Sequence, residues 1–296
     1  MRHMPPNNVR GILTMLAAVT TFSVMDVLLK RLSEDFPAMQ VTFLRGAAAL
    51  PLLLAANAAF GRWSDLKPRR WGLHLMRGFL SVALLWCFIY AVSQLSLANA
   101  YSIFMSAPLL ITALSVPMLG ERVGWQQWLA VFVGLVGVMI VLKPSGSGLV
   151  TLGGIAALAS AIGYALNAIT VSIITRTDSS AATVFWALFF VTIIGGAASS
   201  ARWVPVPWDH WPLIVGLGIS GALGQYFFTE AFRLAPPPVI APLEYTALAW
   251  GMLFDWLLWA TAPGLRMLTG AFIIVASGIY VIHRERLASV ALQQQH

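Results

Sequence analysis

Charge is what this chain has least of. Only 10% of its 296 residues are Asp, Glu, Lys or Arg, while 59% are hydrophobic. An ordinary soluble domain carries about 25% charged residues. A larger soluble core cannot absorb that shortfall, so lipid must be the solvent for most of the chain. Cysteine is nearly absent as well. Cys87 stands alone inside an apolar run, which excludes an intrachain disulfide and a cysteine metal site. The five histidines are His3, His74, His210, His283 and His296, and none is clearly mid-membrane. No paired metal-ligand spacing appears, so no metal site is expected. No glycine-rich nucleotide motif is present, so ATP is not the direct energy source and no cofactor is expected.

What remains is long apolar runs. They are about 20 residues each and do not alternate, which selects membrane helices over barrel strands. Ten segments follow a loose N-terminus: Gly11–Leu29, Ala38–Phe60, Trp71–Val92, Ala98–Met118, Gly124–Leu142, Leu149–Ile174, Ser180–Ala201, Trp211–Phe232, Val239–Ala260 and Gly264–Ile282. The first is too long for a signal-peptide core and lacks a cleavage site, so it reads as an uncleaved membrane helix. Pro and Gly punctuate several connections, including Lys143–Gly146, Pro205–Pro207 and Pro236–Pro238. The expected fold is all-α: a polytopic membrane protein of ten transmembrane helices.

The net charge of +7 would suggest nucleic acid in a soluble protein. Here most of the excess sits in the short connections, so it sets topology instead, and no nucleic-acid partner is expected. With the N-terminus inside, inner connections and tails carry eleven Lys and Arg residues and outer ones five. Both termini are therefore expected in the cytoplasm.

A stretch near the middle occurs twice. Ala91–Pro144 has a weaker copy within Thr229–Ile282, and a shift of 140 residues sets Ala91 on Ala231 and Met105 on Tyr245. Helix 1 aligns with helix 6 at a shift of 142, setting Phe22 against Tyr164 and Met25 against Asn167. Each half then holds five helices. An odd number inverts the second half in the membrane, the usual build of secondary transporters, with the solute at the repeat interface. The expected division is a cytosolic segment 1–10, a first repeat 11–144, a second, inverted repeat 145–283 and a cytosolic tail 284–296.

Several short runs carry a family resemblance in a consistent order. They are Phe43-Leu44-Arg45-Gly46, Pro108-Leu109-Leu110, Leu119-Gly120-Glu121-Arg122, Gly134–Gly137 and Ala241-Pro242-Leu243-Glu244-Tyr245-Thr246. Through them the chain resembles the drug/metabolite transporter superfamily, and within it the ten-helix EamA-type exporters. The Gly-Glu corner of the first half is missing from the second. The amino-acid exporters of that superfamily look most similar overall. The resemblance implies a bacterial inner-membrane exporter of small metabolites working by alternating access.

Ionisable groups inside membrane helices are costly, roughly 2.5–3.5 kcal/mol on insertion scales, so each needs a partner, water or a function. Asp26 and Lys30 are four apart on helix 1 and suit either a solute contact or a structural pair near the interface. Arg45 could steer a carboxylate or pin helix 2 to neighbouring carbonyls. Glu244 has no local partner and could receive an ammonium group or a proton, or pack as a hydrogen-bonded carboxyl.

Aromatic residues recur at matched positions. Trp86 and Tyr90 share a face of helix 3, and their mates on helix 8 are Tyr226 and Glu230. Tyr101 and Met105 share a face of helix 4, with mates Ala241 and Tyr245 on helix 9. The expected solute site therefore comprises Phe22, Asp26, Trp86, Tyr90, Tyr101, Met105, Tyr164, Asn167, Tyr226, Glu244 and Tyr245. Any one of these aromatics could equally pack in a core or an interface belt. Pro108 and Pro242 are expected to interrupt helices 4 and 9 as hinges or fixed kinks.

The leading function is export of an amino acid with an apolar or aromatic side chain, or of a related metabolite. Multidrug or other metabolite export is the alternative within the class. An intramembrane enzyme built on Ser220 would need a base in reach, and a passive scaffold would not need matched polar faces in both halves. No catalytic residue is assigned. Ten helices can form a self-contained unit, so a monomer is expected.

Overall fold

A computed structural model describes residues 8–59, 63–94, 103–142, 151–259, 264–265, 268–277 and 279–280. Among the described residues the regular structure is helical. The helices are α1 (Asn8–Leu32), α2 (Ala38–Ala59), α3 (Trp71–Gln94), α4 (Ala107–Leu119), α5 (Trp125–Leu142), α6 (Leu152–Ile174), α7 (Ser180–Ser199), α8 (Trp211–Leu234), α9 (Thr246–Trp259) and α10 (Leu268–Ser277). Six of them, α1, α2, α3, α6, α7 and α8, are long and apolar enough to cross a membrane. The shorter α4, α5 and α10 are apolar too.

Two expected helices are not continuous. Helix 9 was expected from Val239. Instead a single helical turn, Pro237–Ile240, passes into a 3₁₀ segment, Ala241–Tyr245, and α9 begins only at Thr246. Pro236, Pro237, Pro238 and Pro242 supply no amide donors, so one α-helical ladder cannot run through them. Helix 4 was expected over Ala98–Met118. Its first residues lie outside the described ones. Ile103 and Phe104 are helical, Met105 and Ser106 form a turn, and α4 starts at Ala107. Pro108 and Pro242 each sit in the first turn of the segment after a break. A first-turn proline forfeits no helical bond, so the break precedes the proline rather than bending a helix around it. At its other end α4 stops at Gly120, whose φ of 72° lets its N–H reach Val116 O at 3.1 Å.

The packing maps onto itself when the two halves are exchanged. The most extensive pairs are α1 with α8 and α3 with α6, which are counterparts. The same holds for α2 with α8 and α3 with α7, while α2 with α7 is its own counterpart. The main core cluster joins α1, α6, α8 and the 237–245 segment through Ile12, Met15, Ile169, Phe232 and Ile240.

Small residues permit these approaches. A side chain at Gly224 would meet the Phe22 ring at 2.6 Å, and one at Gly163 would meet Leu84 at 3.1 Å. The two contacts lie in counterpart helix pairs, α1 with α8 and α6 with α3, one residue out of exact register. Gly218 lies against Ala48 and Gly216 against Leu28, so the small residues of α8 serve α2 and α1.

Candidate functional site

The acid and base groups inside the bundle fall into two arrangements. The first uses most of its valences. Arg77 on α3 is buried and donates from Nη1 to Thr183 O at 2.6 Å and from Nε to Asn167 Oδ1 at 3.3 Å. Asn167 in turn donates to Ser81 Oγ at 2.7 Å. One guanidinium thereby fastens α3 to α6 and α7. Next to it, His74 and Asp178 meet at 2.9 Å, and the Arg69 N–H reaches the same Asp178 oxygen at 2.9 Å.

The second arrangement keeps open valences. Asp26 on α1 and Arg45 on α2 interact through space. Arg45 lies along the Cβ-less face of Gly221, its Nε 3.6 Å from where a side chain would start. That Nε is buried with no hydrogen-bond partner. Across from this pair, Tyr164 and Glu244 lie within electrostatic reach of each other, and Asp26 acts on the same tyrosine. One Glu244 oxygen, Oε1, is buried without a partner. Two acids, one base and a phenol therefore converge from α1, α2, α6 and the 241–245 segment, with unused donor and acceptor positions.

Aromatic rings adjoin them in series. Phe88 meets Phe104 with centroids at 5.1 Å, Phe104 meets Tyr164 at 5.6 Å, and Tyr164 meets Phe228 at 6.3 Å. Phe228 also meets Phe22 at 6.1 Å and Phe232 at 4.8 Å. The series crosses from α3 through the break before α4 to α6 and α8. Phe22, Phe104, Tyr164 and Glu244 are half-buried, so they keep surface for a ligand. Charged groups at one end of an aromatic wall can hold a small molecule with a polar head and an apolar body.

The residues expected at the site thus divide. Phe22, Asp26, Tyr164 and Glu244 come together. Asn167 lies one turn from Tyr164 but is engaged in the Arg77 network. Tyr245 belongs to a separate cluster with Val131, Val138 and Ile274, against which Met105 packs. There the Tyr245 ring fills the space left by Gly134, fully buried and facing away from Glu244's partners. Trp86 turns outward, 68% exposed, and Tyr90 is exposed too. Tyr226 lines a different cavity, at the end of α8. Tyr101 lies outside the described residues.

Phe104 and Phe228 were not among the expected site residues. Phe104 is the repeat mate of Glu244, and that pairing was the signal that could have found it. Arg45, read as either a carboxylate contact or a clamp on backbone carbonyls, interacts electrostatically with Asp26 on α1.

The EamA-like transporter family matches the chain twice, over residues 9–143 and 151–283. A riboflavin transporter of Vibrio cholerae is 26% identical over 96% of this chain and 96% of its own. The pseudopaline exporter CntI of Pseudomonas aeruginosa is 26% identical over 91% of this chain and 94% of its own. An S-adenosylmethionine uptake transporter of Rickettsia bellii is 27% identical over 94% of this chain and 95% of its own.

Proposed function

This chain belongs to the EamA-like transporter family, and from that membership we propose that it exports a zwitterionic metabolite, an amino acid with an apolar or aromatic side chain. The coarser statement, a metabolite transporter of the drug/metabolite superfamily, follows from the family and its relatives. The observation that carries the finer reading is the Asp26–Arg45 pair beside the Phe22–Tyr164–Phe228 rings. Arg45 would take the solute carboxylate. Asp26 and Glu244 would take the ammonium group, and the rings the side chain.

Among the relatives one is an exporter and another an uptake transporter, so direction differs within the family. Export here is supported by the overall resemblance to amino-acid exporters. In the same reading the protein lies in a bacterial inner membrane with both termini in the cytoplasm, as the eleven-to-five division of basic residues supports. The repeats 11–144 and 145–283 rock against each other, with the breaks before Pro108 and Pro242 as pivots. An enzyme centred on Ser220 has little support: its hydroxyl is engaged with Gly216 O of its own helix at 2.8 Å.

A second reading rests on the riboflavin transporter. A flat heteroaromatic solute would also suit an unbroken run of rings.

Counterflow in proteoliposomes tests both. Vesicles loaded with unlabelled solute should accumulate labelled aromatic or branched amino acids above protein-free vesicles. Asp26→Asn and Glu244→Gln should each cut that flux about 10- to 100-fold, the equivalent of one charge-assisted hydrogen bond of roughly 1.5–3 kcal/mol. Flux of riboflavin with none of any amino acid would replace the first reading by the second. Unchanged flux in both variants would remove these residues from the site.

A further inference from the structure

A histidine–aspartate contact joins the two halves at each end of the bundle, and the two joints differ in exposure. The α6–α7 link meets the start of α3 through Asp178 and His74, whose side chains are 0% and 1% exposed. The counterpart link, between α1 and α2, meets the start of α8 through Asp35 and His210, at 54% and 19%. The first joint is sealed. The second is open to protons from solution.

The exposed joint is also built differently. His210 ends the 3₁₀ turn Trp208–His210, just before α8. Its Nε2 lies 3.1 Å from Asp35 Oδ2, and its Nδ1 lies 3.0 Å from Asp209 Oδ1. Asp35 and Asp209 are the charged groups that act on the ring. Glu34, beside Asp35, is paired with Arg31. The buried Phe36 ring meets the imidazole edge-on, with centroids at 5.2 Å and planes at 84°. Phe36 in turn packs in a core with Leu32, Ile214 and Leu217. The imidazole therefore rests on a fixed platform, with one nitrogen toward each carboxylate.

That geometry counts protons. A neutral imidazole has one N–H and donates to one carboxylate, while its other nitrogen sets a lone pair against the second. An imidazolium donates to both, and both bonds gain from its charge. Asp209 is His210's own neighbour, so that contact joins nothing new. Asp35 comes from the other half, so the second proton decides whether the ring bridges the halves. The Gln40–Val204 clasp at the same end holds no group that titrates near neutrality.

We propose that His210 is a proton-operated latch: protonated, it ties Asp35 to the start of α8 and holds this end of the bundle together, and neutral, it lets the end part. Histidine changes charge between about pH 5 and pH 8, so the latch works within the ordinary range. Its contribution is complete on the acid side and is lost as pH rises through the histidine titration. The latch rests on the reading that the two halves move against each other. Its test involves no solute, so failure of counterflow and failure of the latch are read separately.

The test uses the full chain in nanodiscs, with Cys87→Ser and spin labels at Ser33→Cys and Trp208→Cys, exposed positions on either side of the latch. Electron paramagnetic resonance reads the distance between them at about pH 5.5 and about pH 8, near either end of the histidine range. The expected result is one short distance at the lower pH. At the higher pH a longer component should rise at least about twofold, the scale of an exposed ion pair. His210→Gln and Asp35→Asn should each remove that pH response. In nitrogen-15 spectra of histidine-labelled protein, the signal lost in His210→Gln belongs to His210. Asp35→Asn should lower the midpoint of its titration by at least about half a pH unit. Circular dichroism and size-exclusion profiles matching wild type qualify each variant.

A distance indifferent to pH in the unlatched and latched ranges alike overturns the proposal. So does a pH response that survives His210→Gln or Asp35→Asn. A His210 midpoint unmoved by Asp35→Asn would show that the contact carries no proton linkage, and overturns it as well.

Discussion

Tyr245 separates packing from recognition at the level of one side chain. Its ring is fully buried against Gly134, and its hydroxyl has no hydrogen-bond partner. A buried hydroxyl left unpaired costs about 1–3 kcal/mol. Tyr245→Phe removes that group while keeping the ring. The expected outcome is a higher unfolding temperature in detergent and counterflow within about twofold of wild type. A tenfold loss of flux would show instead that the hydroxyl touches solute. The sequence set Tyr245 and Glu244 side by side and marked both as site residues. It could not show that a 3₁₀ segment turns neighbouring side chains to different helices. Glu244 was singled out because it had no local partner. Tyr164, with which it interacts electrostatically, lies 80 residues earlier, and only the fold brings it near.

At the scale of elements, most helices were legible because length and apolarity suffice for a membrane helix. The starts at Trp71, Ser180 and Trp211 coincide with the observed ones. The segments around Pro108 and Pro242 were less so, since an apolar run with prolines reads as a kinked helix until backbone bonds are traced. Glycines on α8 mark its close contacts, Gly216 with α1 and Gly218 with α2.

That contact sets a paired prediction. A Cβ at Gly218 would lie 2.6 Å from Ala48 Cβ and 2.8 Å from its carbonyl carbon, so backbone must move. Gly218→Ala should therefore destabilise α8 against α2 by about 1–3 kcal/mol, the usual cost of overpacking. Gly251, inside α9, has nothing within 4 Å of the same point. Gly251→Ala should stabilise by about 0.5–1 kcal/mol through helix propensity alone. Thermal unfolding of both variants in one detergent checks the pair, and equal shifts of one sign would contradict it.

At the scale of the whole molecule, the question is what ties the two halves together at the end opposite Gln40. At Gln40's own end, its amide clasps the Val204 backbone in both directions, at 2.6 and 2.9 Å. At the other end Asp178, in the link between α6 and α7, holds the start of α3. Burial works to raise the Asp178 pKa. Hydrogen bonds from His74, the Arg69 N–H and Thr177 outweigh it and leave the carboxyl below its ordinary value. The His74 tautomer with its proton on Nε2 donates to Asp178 and leaves Nδ1, then only an acceptor, without a partner.

A depressed carboxyl pKa fixes the sign of the pH effect. Its contribution is complete above the unfolded value, about 3.9 for Asp. It is lost as pH falls through the lower, folded value. Wild type should therefore be more stable than Asp178→Asn at neutral pH by about 1.5–3 kcal/mol, the worth of a charged hydrogen bond. The difference between the two proteins should shrink only below about pH 4. Other carboxyls titrate in both proteins and cancel in that difference. Unfolding temperatures measured side by side from pH 7 down to pH 3 decide it. A gap that stays constant to the lowest pH would mean that the Asp178 charge contributes nothing to joining the halves and that only its shape matters.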